Sequence, residues 1–133
     1  MSEMVNHAAA CLDKDQVLIQ SGGRRMRVTR PGMADGDAGC PVQLVLGALS
    51  ACILLTLKAV AENKGIRLAE PRVMVEHAPD PVGGTRFNVT LELDEHLTDR
   101  ERRILYQSAR ICEVGKMLKG NVQIDVRLKD HEP

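Results

Sequence analysis

The sequence is poor in aromatic residues, which argues against one common way of binding nucleic acid. Phe87 and Tyr106 are the only phenylalanine and tyrosine among 133 residues, and tryptophan is absent. A platform of aromatic side chains for stacking bases is therefore not expected. Lys and Arg together number 18, as do Asp and Glu, and no basic block or basic helix face is present. The sequence predicts no nucleic-acid partner and a core built from aliphatic side chains.

Targeting and metal-binding patterns are missing as well. The first residues contain no basic region followed by an apolar one, so no signal peptide is predicted. The longest apolar stretch, 44–57, is shorter than the roughly 20 residues that a membrane-spanning helix needs. We therefore expect one cytoplasmic domain, residues 1–133, without membrane contact. The four cysteines form no Cys-x-x-Cys pair and the four histidines form no ligand-spaced cluster, so neither a metal nor a cofactor is expected.

Hydrophobic periodicity predicts an α+β domain with the element order β-β-β-α-β-β-α-β. Alternating residues indicate strands, and Pro41 suits the first position of a long helix that Gly65 would end. Thr98 and Glu101 have the spacing of a capping box, which predicts the start of the second helix. A further short helical turn is expected at 113–119. The predicted strands are 7–12, 16–20, 24–30, 72–77, 86–93 and 121–128, and the predicted long helix is 41–64.

The predicted long helix favours a homodimer. It would extend about 35 Å at 1.5 Å per residue, whereas a lone domain of this size has a radius of gyration of about 14 Å. It is also apolar almost all round from Leu44 to Leu57, so most of its faces should be buried. One small chain can hardly cover such a helix, and a second copy would complete the core.

Two cysteines lie in apolar settings that allow two interpretations. Cys52 lies in the middle of the long helix, and Cys112 falls on the predicted inward stripe of the second helix with Ile104, Leu105 and Ile111. If the fold brings the two sulfurs together they form a redox centre; otherwise both are small buried hydrophobic residues. Cys40 is interpreted as structural, because it would lie about 18 Å from Cys52 along the helix. Cys11 is interpreted as a structural residue of a strand.

The segments around both cysteines resemble the OsmC/Ohr family of osmotically inducible and organic hydroperoxide resistance proteins. The first motif is Pro41-x-Gln43-Leu44-x-Leu46-x-Ala48-Leu49-Ser50-Ala51-Cys52, and the second is Ile111-Cys112-Glu113-Val114-x-Lys116-x-Leu118. Gln43 stands where many members have Glu, and Glu113 replaces the usual Pro. The resemblance implies an OsmC-like fold in an intertwined homodimer, with long buried central helices flanked by antiparallel sheets.

The resemblance also implies a function, a thiol-dependent peroxidase acting on organic hydroperoxides or peroxide. Cys52 would be the peroxidatic residue and Cys112 the resolving one, passing through a sulfenic acid and a disulfide. A lipoyl or thioredoxin-like dithiol would restore the thiols, without metal or flavin. Gln43 and Arg24, the latter in a Gly-Gly-Arg segment like that of the family, are candidate supporting residues. The alternative is a non-catalytic dimer that binds a small hydrophobic ligand in an interface pocket.

Overall fold

Strands and helices follow one another in an α+β order, as predicted. The computed structural model describes residues 6–30 and 39–129, and its chain divides into two compact units, 1–47 and 48–133. The long helix begins in the first unit and continues in the second. The elements are β1 (Ala9–Asp13), β2 (Gln16–Ser21), β3 (Arg24–Val28), α1 (Pro41–Lys64), β4 (Arg72–Pro79), β5 (Thr85–Glu92), α2 (Asp99–Ala109) and α3 (Glu113–Lys119).

The first unit contains an antiparallel sheet in the order β1-β2-β3. Ser21 pairs with Arg24 across the turn between β2 and β3. Gly22 and Gly23 form this turn with φ values of 57° and 78°, a left-handed conformation that glycine adopts without a Cβ penalty. The predicted turn is thus confirmed. The loop predicted around Pro31, Gly32 and Gly36 lies outside the described residues.

The second unit is built on α1, which presents one face to its core. Leu49, Ile53, Leu57 and Ala61 recur every fourth residue and are all buried, which is the spacing of one helical stripe. Half-buried residues of the antiparallel β4–β5 pair and the buried Leu105 of α2 complete this core. The predicted end of the helix is confirmed, since Gly65 has φ 69° and the next amide, of Ile66, donates to the carbonyl of Ala61 at 2.8 Å.

Helix α1 is long and apolar enough to cross a membrane by length and composition alone, with a mean hydropathy of 2.2. The core helix of a soluble protein passes the same test. Apolar side chains are nevertheless exposed on it, among them Val42, Val45 and Leu55, the last with 67% of its surface accessible. The described chain by itself therefore leaves part of the helix uncovered.

The end of the described chain differs from the prediction. The segment 121–127 is not a strand, although its apolar and polar residues alternate. A strand needs a neighbour to accept and donate its backbone hydrogen bonds, and none of the named strands pairs with this segment. Its apolar side chains are exposed instead, namely Val122, Ile124 and Val126. The alternation of apolar and polar residues correctly indicates an amphipathic segment. It does not indicate whether another strand pairs with that segment.

Candidate functional site

Cys52 lies at the edge of the buried face of α1. It is half-buried and directly precedes Ile53, which is 2% exposed. The hydroxyl of Thr56 donates to the carbonyl of Cys52 at 2.8 Å, one turn further along the helix. The helical spacing of the apolar residues therefore places the Cys52 thiol where the core meets the surface of the second unit.

Cys112 is buried, as predicted, but the prediction that it lies on the second helix is wrong. Helix α2 ends at Ala109, and Cys112 is the N-cap of α3 with extended backbone angles, φ −69° and ψ 154°. Its Sγ accepts a hydrogen bond from the amide of Gly115 at 3.3 Å. The apolar spacing of α2 continues as far as Cys112 although the helix ends at Ala109. The turn after α2 places Cys112 in the core instead. Cys112 is 2% exposed.

The structure brings the two cysteines together. The amide of Val114 donates to the Sγ of Cys52 over 3.5 Å, which attaches the first turn of α3 to the middle of α1. Cys52 also lies close enough to Cys112 to raise the pKa of its thiol, and both cysteines are free. Two sulfurs separated by 60 positions in the sequence thus occupy one site. This proximity is the condition on which a thiol–disulfide cycle depends.

Burial controls the ionisation of Cys112. Removal from water raises the pKa of its thiol above the ordinary value of 9.0, and the neighbouring Cys52 raises it further. The amide of Gly115 and the positive charge of Lys119 act in the opposite direction but do not offset the burial. At neutral pH Cys112 is therefore a thiol rather than a thiolate.

A cavity of about 560 Å³ opens beside Cys112 in the second unit. Its apolar wall includes Leu49 and Ile53 of α1 and Phe87 of β5, and its charged side chains are Asp80, Arg86, Arg110 and Lys119. Cys112 lines the cavity, whereas Cys52 does not. Cavities of this volume with apolar walls and a few polar groups hold small molecules in other proteins.

The remaining candidate residues belong to the first unit. The side-chain oxygen of Gln43 accepts a hydrogen bond from the amide of Cys40 at 3.3 Å, at the start of α1. Arg24 is exposed at the start of β3. Cys11 is exposed on β1 and Cys40 is half-buried. The roles predicted for Gln43 and Arg24 stay predictions, as does the structural interpretation of Cys11 and Cys40.

Several residues of the site could not be recognised from the sequence. Val114 and Gly115 contribute backbone amides to sulfur, and a backbone donor has no side-chain signature. Their position could have been found by interpreting Cys112 as a helix cap, because a cap side chain accepts from the amide two or three residues later. Arg110, the C-cap of α2, and Lys119, the last residue of α3, line the cavity without any sequence motif that marks them. Among the described residues, no group of three or more His, Cys, Asp or Glu could hold a metal ion.

Comparison with known proteins identifies the family. The profile of the family described as OsmC-like protein matches residues 34–127, which is more than half of the chain and includes both cysteines. No curated protein sequence matches. The chain therefore belongs to the OsmC-like protein family, and the resemblance of its two cysteine motifs to that family is confirmed.

Solved structures agree in fold. An OsmC-like protein from Mycoplasma pneumoniae aligns with a TM-score of 0.74 and 20% identity, covering 90% of each chain. An organic hydroperoxide resistance protein OsmC from Legionella pneumophila aligns with a TM-score of 0.63 and 22% identity, covering 91% of this chain and 93% of that one. The organic hydroperoxide resistance protein OhrB of Bacillus subtilis gives 0.60 and 24%, covering 89% and 93%. The predicted OsmC-like α+β fold is thereby confirmed.

Proposed function

We propose that this member of the OsmC-like family is a thiol-dependent peroxidase that reduces organic hydroperoxides or peroxide through Cys52 and Cys112. The observation that carries the proposal is the meeting of the two thiols at one site, beside the amide of Val114. Family membership supports it, since similar folds include proteins named for organic hydroperoxide resistance.

The proposed cycle begins at Cys52. Its thiolate attacks one oxygen of the peroxide bond, forms a sulfenic acid and releases the other oxygen as an alcohol or water after protonation. The amide of Val114 donates to this sulfur at 3.5 Å and so holds it against the first turn of α3. This donor is a backbone N–H, and Arg24 stays a candidate supporting residue.

Resolution uses Cys112. Its sulfur attacks the sulfenic sulfur of Cys52, water leaves, and a disulfide forms between the two residues. Because burial raises the pKa of Cys112, its proton has to be given up during this step. A dithiol of lipoyl or thioredoxin-like type then reduces the disulfide by exchange and is itself oxidised. Such a cycle operates with free thiols and fits a reducing, cytoplasmic location.

Peroxide consumption in the presence of dihydrolipoamide tests the proposal. Wild type is compared with Cys52→Ser and Cys112→Ser, and Cys11→Ser serves as the matched control on an exposed strand. We expect Cys52→Ser to abolish consumption, Cys112→Ser to leave a sulfenic acid that a dimedone-type reagent traps, and Cys11→Ser to behave as wild type. Equal rates for wild type and Cys52→Ser would contradict the peroxidase assignment.

A binding protein without catalysis is the second candidate, favoured by the cavity beside Cys112. In that case the cysteines only line or support the cavity. The same assay separates the two functions, because a binding protein consumes no peroxide whether or not Cys52 is present.

We also propose that the protein works as a homodimer. Leu55 on α1 and Ile124 near the end of the described chain expose 67% and 82% of their surfaces, and a second copy would cover such apolar area. Sedimentation velocity of Leu55→Asp and Ile124→Asp checks this. We expect dissociation of both variants, whereas the control Val82→Asp, in a turn where Val82 is 96% exposed, should sediment as wild type does. A monomeric wild type would contradict the proposal.

A further inference from the structure

We propose that the cavity beside Cys112 is a binding site for an amphiphilic monocarboxylate, whose hydrocarbon chain lies on the apolar wall and whose carboxylate is held by Arg110 and Lys119. The site is distinct in its chemistry from peroxide reduction, because it recognises a charge and a chain rather than an O–O bond. Its existence therefore does not depend on the proposed peroxidase cycle.

The charges of the cavity carry the inference. Asp80 and Arg86 neutralise each other through an ion pair of 2.9 Å. Arg110 and Lys119 then leave the cavity with two positive charges, because no other acidic residue lines it. The chain as a whole is neutral, with 18 basic and 18 acidic residues, so this excess is local. A cavity with two unneutralised cations is complementary to an anion.

Arg110 and Lys119 are positioned to act together. Arg110 lies at the C-cap of α2, and its guanidinium carbon lies 5.9 Å from the centre of the Tyr106 ring. The ammonium group of Lys119 donates to the carbonyl of Arg110 at 3.1 Å. Neither side chain forms an ion pair with a carboxylate within residues 6–30 and 39–129. A planar guanidinium and an ammonium beside one another offer a carboxylate both a fork and a point charge.

The wall of the cavity suits a hydrocarbon chain. Leu49, Ile53, Phe87, Leu91 and Leu118 all line it, and about 560 Å³ lies within the usual range for small-molecule sites. Leu49 and Ile53 are less than 6% exposed and belong to the core, so this part of the wall is preformed. An occupant would bury apolar surface at one end and satisfy two cations at the other.

Calorimetric titration with decanoate tests the site. Decanol, of equal chain length but uncharged, and decyltrimethylammonium, of opposite charge, are the ligand controls. We expect decanoate to bind, decanol to bind at least tenfold more weakly, and the ammonium compound not to bind. Decanol lacks the carboxylate, and a tenfold weaker affinity is what the loss of one or more charge-assisted hydrogen bonds would cause. Equal affinities for decanoate and decanol would overturn the proposal.

Variants assign the two cations. Arg110→Gln and Lys119→Gln should each weaken decanoate binding by about tenfold and leave decanol binding little changed. Arg110→Lys, which keeps the charge, should bind more tightly than Arg110→Gln. Arg103→Gln is the matched control, because Arg103 is exposed on the same helix and does not line the cavity. Undiminished decanoate binding in the Arg110→Gln, Lys119→Gln double variant would overturn the assignment.

Protection of Cys112 provides a second readout. Because Cys112 lines the cavity, bound decanoate should slow its alkylation by iodoacetamide, measured on the Cys112 peptide by mass spectrometry. Alkylation of the exposed Cys11 should not change. Decanoate should protect Cys112 equally well in Cys52→Ser, in which no peroxidase cycle can run. A failure of the binding site is thereby distinguished from a failure of the peroxidase cycle. Binding of decanoate without protection of Cys112 would place the ligand elsewhere and contradict the proposal.

Discussion

The amide of Val114 donates a hydrogen bond of 3.5 Å to the sulfur of Cys52, 62 positions earlier in the chain. This contact joins two elements, the first turn of α3 and the middle of α1, and it ends on the reactive atom of the proposed cycle. Amides in the first turn of a helix have no partner within the helix, which leaves this one available to sulfur. The hydrogen bond to the sulfur of Cys52 thus comes from the backbone and not from a side chain.

A matched pair of proline substitutions tests the importance of this amide. Glu113 occupies the first position of α3, where proline is well accepted, and Cys112 before it is already extended. Glu113→Pro should therefore preserve the site and raise the free energy of unfolding by as much as about 1 kcal/mol. Val114→Pro removes the donor itself and should slow the reaction of Cys52 with peroxide at neutral pH.

Competition kinetics with peroxide, together with thermal unfolding of both variants, provides the measurement. Proline at 114 also constrains the backbone of Glu113. Thermal unfolding therefore shows whether a slower reaction of Val114→Pro with peroxide comes from a destabilised backbone alone. If Val114→Pro reacts as fast as Glu113→Pro, the amide contributes nothing to the reactivity of Cys52.

The sequence predicted the main elements well and the site only in part. Alternation located β4 and β5, and the capping box at Thr98 and Glu101 is present with both of its hydrogen bonds, because both signals depend on near neighbours in the chain. The short helical turn expected at 113–119 is present as α3, but the end of α2 at Ala109 was not predicted, since the apolar spacing continues through Cys112. The lack of a strand at 121–127 was also missed, because pairing depends on a partner that periodicity does not specify.

Gly115 leaves room for the sulfur of Cys112. A Cβ atom at this position would lie 3.0 Å from Cys112 Sγ and 3.8 Å from a methyl carbon of Leu49. Gly115→Ala should therefore displace the sulfur, lower the free energy of unfolding by about 1–3 kcal/mol, and slow disulfide formation with Cys52. Urea unfolding and the mass shift after one equivalent of hydroperoxide measure the two effects.

Gly47→Ala is the control for Gly115→Ala. Gly47 lies within α1, and among residues 6–30 and 39–129 no atom outside the neighbouring helix backbone would come within 4 Å of a Cβ added there. Replacing a helical glycine by alanine should stabilise the fold by about 1 kcal/mol, the opposite sign. A destabilisation common to both variants would show that the effect at Gly115 does not come from contact with Cys112.

The raised pKa of Cys112 predicts how its reactivity and the stability of the fold depend on pH. The rate of alkylation of Cys112 should still be rising at pH 9.0, the ordinary value for a thiol, because the thiolate forms only above it. The folded protein holds this proton more tightly than the unfolded chain does. The protonated thiol of Cys112 therefore makes its full contribution to the free energy of unfolding below about pH 9. This contribution is lost as the pH rises through the pKa of Cys112 in the folded protein.

Alkylation of each cysteine peptide is followed by mass spectrometry between pH 7 and pH 10.5. In Cys52→Ser the profile of Cys112 should move to lower pH, because the interaction with the Cys52 thiol is one cause of the shift. A plateau in the rate for Cys112 below pH 9 in wild type would contradict the effect of burial.

Asp94 provides a prediction that concerns the fold of the second unit rather than its thiols. Its carboxylate accepts hydrogen bonds of 2.8 Å from the amides of Ala69 and Glu70, and these bonds lower its pKa below the ordinary 3.8. Because the folded state favours the charged form, this stabilisation is present above the unfolded pKa of 3.8 and is lost as the pH falls through the folded pKa.

Asp94→Asn keeps the shape but cannot accept both bonds through oxygen, so its melting temperature should be lower than that of wild type at pH 7. The difference should narrow as the pH falls below 3.8, and Glu95→Gln, at the exposed neighbouring position, should melt with wild type throughout. A difference for Asp94→Asn that stays constant with pH would mean that the packing of the side chain, and not its charge, holds the 69–70 segment.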